Sequence, residues 1–290
     1  MAASMGPPAS WRTSGIIIYL TMNTGFVGIG SMGGMLVRAL LRSRALGVEN
    51  VWAANRSEGK LKALAAEFPG IHVASNRELA ANCDLVFLCL KAGDAASVLA
   101  QMDPELCPRQ LLITTASQIP LQVLEDRVPC RVAKLIPSIT QEVGAGVALL
   151  MYGCRATADD HKVLEDLLGR ISHPMAIAES QSRPAIGLAS GGPAFVAYLL
   201  ESMAEEAARS NPDFPRELAV SLVQETATAT LRLMAEANMS PEEVIRRVAL
   251  PGGMTALGIE VLSRYMPQAW QAVFRDSAAR EKSSQETLAL

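Results

Sequence analysis

The segment Gly28-Ile29-Gly30-Ser31-Met32-Gly33 constrains this chain more than any other. A short apolar run, Thr24 to Val27, precedes it, and a helix-like stretch, Met35 to Leu46, follows. The spacing G-x-G-x-x-G between a strand and a helix is the setting that a bound dinucleotide requires. Gly28 allows the tight turn, Gly30 the approach of the backbone to a pyrophosphate, and Gly33 the close packing of helix on strand. The phosphates then meet the free N–H groups at the positive end of the helix. Gly28, Gly30, Ser31, Met32 and Gly33 are therefore expected to contact a cofactor.

The next strand, Asn50 to Ala54, ends about 20 residues past the fingerprint, where an acid commonly holds the adenosine ribose. This chain has none there and reads Asn55-Arg56-Ser57. A guanidinium and a hydroxyl suit a 2′-phosphate, and the missing carboxylate removes a repulsion against it. Asn55, Arg56 and Ser57 thus point to NADPH, with NADH less favoured; a solvated Arg in a polar loop is the plainer alternative.

Beyond the fingerprint, β-rich runs alternate with helical stretches up to about Ala178. Strands are expected at 24–28, 50–54, 71–73, 84–90, 111–115, 130–135, 146–152 and 173–178. Helical stretches include 33–46, 58–67, 94–101, 120–127 and 157–170. Such alternation builds right-handed βαβ units and a mostly parallel sheet. The run Asp84 to Leu90 is nearly all apolar, as in a strand covered on both faces. Lys91 ends it, at the carboxyl end of the strand, where doubly wound sheets bind ligands.

After Ala178 strand signals vanish and helical periods take over. Val196, Leu199, Leu200, Met203 and Ala207 recur at helical spacing, as do Ala219, Leu222, Val223, Thr226, Thr230, Leu233, Met234 and Ala237. Pro193, Pro241 and Pro251 stand near helix starts, where a missing N–H costs little. Ser240 with Glu243 fits a capping box. Small-residue stripes on an all-helical half leave more apolar face than one layer buries, so a homodimer or a multiple of dimers is expected. The fold expected is α/β: an amino-terminal Rossmann dinucleotide-binding domain at 23–178, then an all-α dimerisation and substrate domain at 179–290. Residues 1–22 are expected to be an extension outside the fold. Met22 then marks the natural start, with 1–21 as upstream sequence or a disordered tail.

Composition narrows the function. The chain has 290 residues, a net charge of −3 and no broad basic footprint, which argues against nucleic-acid or anionic-membrane partners. Gly15 to Leu20 is apolar but too short to span a bilayer. Five scattered cysteines form no C-x-x-C pair, which suits a reducing cytoplasm and unpaired thiols. Only three histidines occur, without His–Cys spacing, so no metal site is expected.

Two motifs in the helical half could carry chemistry. Ser190-Gly191-Gly192-Pro193-Ala194-Phe195 permits a close backbone approach, and is equally the pattern of a tight interhelical connection. Leu250-Pro251-Gly252-Gly253-Met254-Thr255 is sharper. Free N–H groups at a helix start beside two glycines can cradle a carboxylate, and Thr255 adds a hydroxyl about one turn in.

The fingerprint, Lys91 after its strand, the segment at 190–195 and the segment at 251–255 together resemble pyrroline-5-carboxylate reductase over nearly all of 23–280. The resemblance implies NAD(P)H-dependent reduction of a cyclic imine to L-proline by an interlocked dimer. It implies that Thr255 contacts the imine nitrogen and is the catalytic residue. It implies that Pro251, Gly252, Gly253 and Met254 bind the substrate carboxylate, and that Ser190 to Pro193, Lys91 and Ser138 lie near the cofactor. The chain departs from the family at Ala92, where Pro is usual, at Ser138, where Asn is usual, and at Leu250, where Ser is usual. Val128-Pro129-Cys130, Ile136 to Thr140 and Ile171 to Pro174 look closer to the divergent late-competence, ComER-like branch. Two functions follow: a reductase of pyrroline-5-carboxylate or a related imino acid, or a cofactor-binding regulatory paralogue linked to competence or sporulation.

Overall fold

A computed structural model describes residues 22–286, and the expectations for residues 1–21 lie outside them. The described chain divides into two compact units, with the boundary between Ser182 and Arg183.

The first unit is built on one eight-stranded sheet. Its strands are β1 (Thr24–Val27), β2 (Val51–Ala54), β3 (His72–Val73), β4 (Leu85–Leu88), β5 (Leu111–Thr114), β6 (Arg131–Ile136), β7 (Val147–Tyr152) and β8 (His173–Ala176). Each of the expected strands forms, most of them shortened at the ends. The spatial order is β3-β2-β1-β4-β5-β6-β7-β8. The order reverses between β1 and β4, which opens a crevice at the carboxyl ends of those strands. β1, β2, β4 and β5 carry mainly branched or aromatic residues, and β1, β4 and β5 are buried throughout. That is the pattern of strands covered by helices on both faces. Phe26 on β1 stacks on Phe87 on β4, with centroids 4.9 Å apart.

Helices α1 (Ser31–Arg42), α2 (Glu58–Glu67), α3 (Asn76–Asn82), α4 (Ala92–Met102), α5 (Leu121–Glu125) and α6 (Ala158–Leu168) connect the strands. α3 was not expected, because seven residues hold too few turns to show a period. Its capping box was legible all the same: Ser75 accepts the Glu78 N–H, and the Glu78 carboxylate accepts from the Ser75 N–H at 2.9 Å. β7 runs antiparallel to β6. The ten residues between them are too few for a parallel crossover, which usually takes a dozen or more.

The second unit is helical: α7 (Ser182–Ala189, whose first residue closes the sheet unit), α8 (Gly192–Ser210), α9 (Arg216–Glu236), α10 (Pro241–Val248) and α11 (Met254–Glu286). Pro193 and Pro241 occupy first-turn positions, while Pro251 lies in the turn before α11. The Ser240 hydroxyl accepts from the Glu243 N–H, but only half of the expected capping box forms. The Glu243 carboxylate turns instead to Arg246 and Arg247, which lie one turn ahead on the exposed face. The buried core of this unit is small. Ala204, Ala219 and Val223 pack between α8 and α9 with Leu200, Ala207, Phe214 and Val220 around them.

Candidate active site

The crevice of the sheet unit holds a cavity of about 820 Å3. That is the size of a site for a large organic cofactor. Its centre is the turn between β1 and α1. Gly28 has φ +95°, and a β-carbon there would lie 2.5 Å from the Cys89 carbonyl. Only glycine takes that conformation in that space. Gly33 serves packing: its β-carbon would stand 2.0 Å from the Gly28 carbonyl. Gly33 is not among the cavity-lining residues, so it shapes the turn from behind. Gly30 is the opposite case. It caps α1, and a β-carbon there would meet nothing within 4 Å, because it faces the open cavity. No side chain caps α1 and no acid stands in its first turn, so its N–H groups and positive end are free for an anion.

The two walls differ in character. On the β2 side the cavity is lined by Asn55, Arg56, Ser57 and Lys60. The Asn55 amide is engaged internally, accepting from Ile29 N–H at 2.9 Å and donating to the Ser57 carbonyl at 3.1 Å. It thereby ties the fingerprint turn to the loop after β2. Arg56 and Lys60 make no ion pair among the described residues. Ser57 caps α2 by position, yet its hydroxyl makes no cap bond. Two cations and a free hydroxyl therefore line this end, beside a helix start that has no side-chain cap and carries Glu58, paired with Lys62, in its first turn. Lys60 was missed in the sequence; its signal was its place in the first turn of α2, four residues after Arg56.

On the β4 and β5 side the walls are Cys89, Leu90, Lys91 and Thr115. Lys91 caps α4 by position and its ammonium forms no ion pair among the described residues. Burial pushes the Cys89 thiol up to about 12, so it stays protonated at neutral pH and is no nucleophile. No histidine lines the cavity, and its only acid is Asp94. Such a site holds and orients anionic groups; it carries no acid–base pair of its own.

Ser138, expected near the cofactor, is not among the residues that line this cavity. It is buried, its N–H donates to Gln141 Oε1 at 3.2 Å, and its hydroxyl accepts from Thr140 at 3.0 Å. Its hydroxyl and N–H close the β6–β7 loop on itself.

The remaining expected site residues belong to the helical unit. Pro251, Gly252, Gly253 and Met254 form an exposed turn into α11, with Gly252 at φ +77°. The Gly253 N–H is engaged by the Leu250 carbonyl at 2.9 Å, and the first helical bond runs from Leu257 to Gly253. The N–H groups of Gly252, Met254, Thr255 and Ala256 are therefore free donors at this turn, with the Thr255 hydroxyl beside them. At the start of α8, Ser190 and Gly191 both donate to the Ile186 carbonyl, which makes a tight α7–α8 connection. Phe195 meets Trp270 edge to face at 6.0 Å. Among the described residues no helix is long and apolar enough to cross a membrane, and no cluster of His, Cys, Asp or Glu could hold a metal ion.

Comparison with known proteins agrees with this division. Residues 23–118 match the family described as NADP oxidoreductase, coenzyme F420-dependent, and residues 179–284 match pyrroline-5-carboxylate reductase dimerisation. The chain is 30% identical over 257 residues to ComE operon protein 4 of Bacillus subtilis, covering 88% of this chain and 94% of that protein. It is 30% identical over 241 residues to the pyrroline-5-carboxylate reductase of Methanosarcina acetivorans, covering 82% and 88%. Among solved structures, the Plasmodium falciparum pyrroline carboxylate reductase with NADP bound shares the fold at a TM-score of 0.78. It is 21% identical and is matched over 92% of this chain and 98% of that one.

Proposed function

The chain belongs to the pyrroline-5-carboxylate reductase family of oxidoreductases, and on that premise we propose that it reduces L-1-pyrroline-5-carboxylate, or a related cyclic imino acid, to L-proline with NADPH. The observation that carries the cofactor choice is the β2 end of the cavity. Arg56, Lys60, the free Ser57 hydroxyl and the uncapped start of α2 form an anion site where an acid would have favoured NADH. The uncapped α1 takes the pyrophosphate, and the wall of Cys89, Leu90 and Thr115 takes the nicotinamide half.

NADPH, when bound, supplies the hydride. The protein's own task is orientation. A protonated cyclic imine is already electrophilic at carbon, so fixing it in a reactive geometry supplies much of the rate. The free N–H groups of Met254, Thr255 and Ala256 hold the substrate carboxylate, and the Thr255 hydroxyl hydrogen-bonds the ring nitrogen. This division of labour fits a cavity that contains no histidine. Two copies of the chain associate through their helical units.

The test is NADPH oxidation with pyrroline-5-carboxylate, wild type against Thr255→Val. Valine keeps the shape and removes a bond worth about 1.5–3 kcal/mol in the transition state, so the rate falls roughly ten- to a hundredfold. NADPH affinity stays as it was. One observation favours a second reading, a cofactor-binding regulator: Ser138, where the family usually carries Asn, bonds within its own loop and is not among the cavity-lining residues. A soluble wild type that binds NADPH, turns over no imino acid and fails to complement a proline auxotroph would replace the first reading by the second.

A further inference from the structure

Lys134 breaks the pattern of β6. The strand reads Arg131-Val132-Ala133-Lys134-Leu135-Ile136 and is buried from Val132 onward, yet its centre is a lysine 2% exposed. Its neighbours in register are Thr114 on β5 and Met151 on β7, neither of which carries charge. An ammonium in such a place is costly unless it is fully partnered. Its partners are two: Nζ lies 2.5 Å from Glu179 Oε1 and donates to the Ser117 carbonyl at 3.2 Å.

These partners have different addresses. Ser117 lies in the loop from Thr115 to Pro120 that follows β5, and Thr115 at its start lines the cofactor cavity. Glu179 comes three residues after β8, at the far edge of the sheet, and the chain must turn back across β7 to bring its carboxylate to β6. That carboxylate also accepts from the Leu121 N–H at 3.1 Å, at the start of α5. One ammonium thus holds the middle of the post-β5 loop at Ser117 directly and its α5 end, at Leu121, through Glu179. The first residue of the loop is pinned to β4, with Thr115 N–H and Oγ1 donating to the Leu88 carbonyl at 3.0 and 3.3 Å, and Ala116 N–H reaches back to Thr114 Oγ1 on β5; beyond these, Ile119 N–H to the Ala116 carbonyl is a tie within the loop itself.

We propose that Lys134, acting through Glu179, is a positioning residue that braces the loop running on from Thr115 at the post-β5 wall of the cofactor cavity and thereby the seat of the nicotinamide half. The proposal rests on the dinucleotide reading given above. It separates the two ends of the cofactor, because the β2 end shares no bond with this network. The two partners are also unequal. Glu179 is 36% exposed at its side chain and can rehydrate, whereas Lys134 cannot. Removing the carboxylate strands a buried charge, while removing the ammonium does not.

The experiment compares binding of NADPH with binding of 2′,5′-ADP, which carries the 2′-phosphate end and no nicotinamide. In Lys134→Met, NADPH is expected to bind about tenfold more weakly, a change of 1.4 kcal/mol. 2′,5′-ADP should bind within about twofold of wild type, and Lys134→Arg should recover most of the NADPH affinity. Glu179→Gln keeps volume and an acceptor for Leu121, tests the same split if the methionine variant fails to fold, and should lower the melting temperature more than Lys134→Met. Equal weakening of both ligands, or no change in either, in whichever variant folds would overturn the proposal. A wild-type chain that binds neither ligand would overturn the dinucleotide reading on which it rests.

Discussion

The two units solve the problem of apolar surface in opposite ways. The sheet unit buries its Leu, Ile, Val and Phe within itself, and Val73, Ile139, Val143 and Met175 are its exposed large apolar residues. The helical unit buries Ala204, Ala219 and Val223 and leaves Val196, Tyr198, Met203, Leu222, Leu231, Leu257 and Tyr265 half or more exposed. A doubly covered sheet closes its own core. A layer of helices does not, and so much apolar surface on an isolated chain marks an association site. This explains how a family named for dimerisation can match the helical half alone. One unit closes its core and encloses a cavity, and the other leaves its apolar faces open to association.

The contrast is broken most severely from inside the sheet unit. Gly33→Val should abolish the cooperative melt of that unit, because its β-carbon would begin 2.0 Å from a backbone carbonyl that has no room to yield. Differential scanning calorimetry would report the loss, and a variant melting within a few degrees of wild type would contradict it. Charge comes next. Leu222→Glu should dissociate the assembly, since an unpaired charge buried at an interface costs several kcal/mol. Val73→Glu, equally exposed but on the sheet unit, should change stability by no more than about 0.5 kcal/mol. Sedimentation of the two variants side by side sharpens the comparison, and equal behaviour would erase it.

A smaller effect lies at the adenosine end. Arg56→Ala and Lys60→Ala should each reduce the preference for NADPH over NADH by about tenfold, as loss of one charge-assisted bond implies. Equal dissociation constants for the two cofactors in the wild type would remove the basis for both. The smallest effect is a slope with pH. Burial pushes the Glu125 carboxyl up, but the Arg155 N–H, the Cys154 thiol and the Arg155 charge outweigh it and hold it below the usual carboxylate range. A depressed folded value contributes stability above the unfolded pKa, about 4.3, and loses it as pH falls through the folded value. Glu125→Gln should therefore flatten the acid limb of the melting profile of the sheet unit, and an unchanged limb would place the slope elsewhere.

Much of this molecule was legible in its residues, for reasons that differ by element. The central strands β1, β4 and β5 were readable because a strand buried on both faces must be apolar at nearly every position, whereas the exposed edge strands β3 and β8 were readable only from the βα alternation around them. The helices of the second unit were readable because their stripes run over many turns. α3 was hidden by its length, and the reversal of β7 by a loop whose shortness was its only signal. At the site, Gly28, Gly30, Arg56, Ser57 and Lys91 line one cavity, because glycine spacing and end-of-strand position depend on local geometry. Lys60 lines the cavity without having been singled out and Ser138 does not line it, because whether a side chain reaches a cavity depends on how its loop closes.

The sequence by itself determined the class of the fold, the place of the dinucleotide turn and the need of the helical half for a partner. Each follows from a local or periodic pattern that only one arrangement satisfies. Tertiary structure alone decided which fingerprint glycine packs and which faces the cavity. It decided that Asn55 holds the backbone, and that Gly253 offers no free N–H. It also decided that Lys134 reaches Glu179 across 45 residues of chain. These are outcomes of competition for hydrogen bonds and space among groups distant in sequence, and no pattern of neighbours along the chain records who wins.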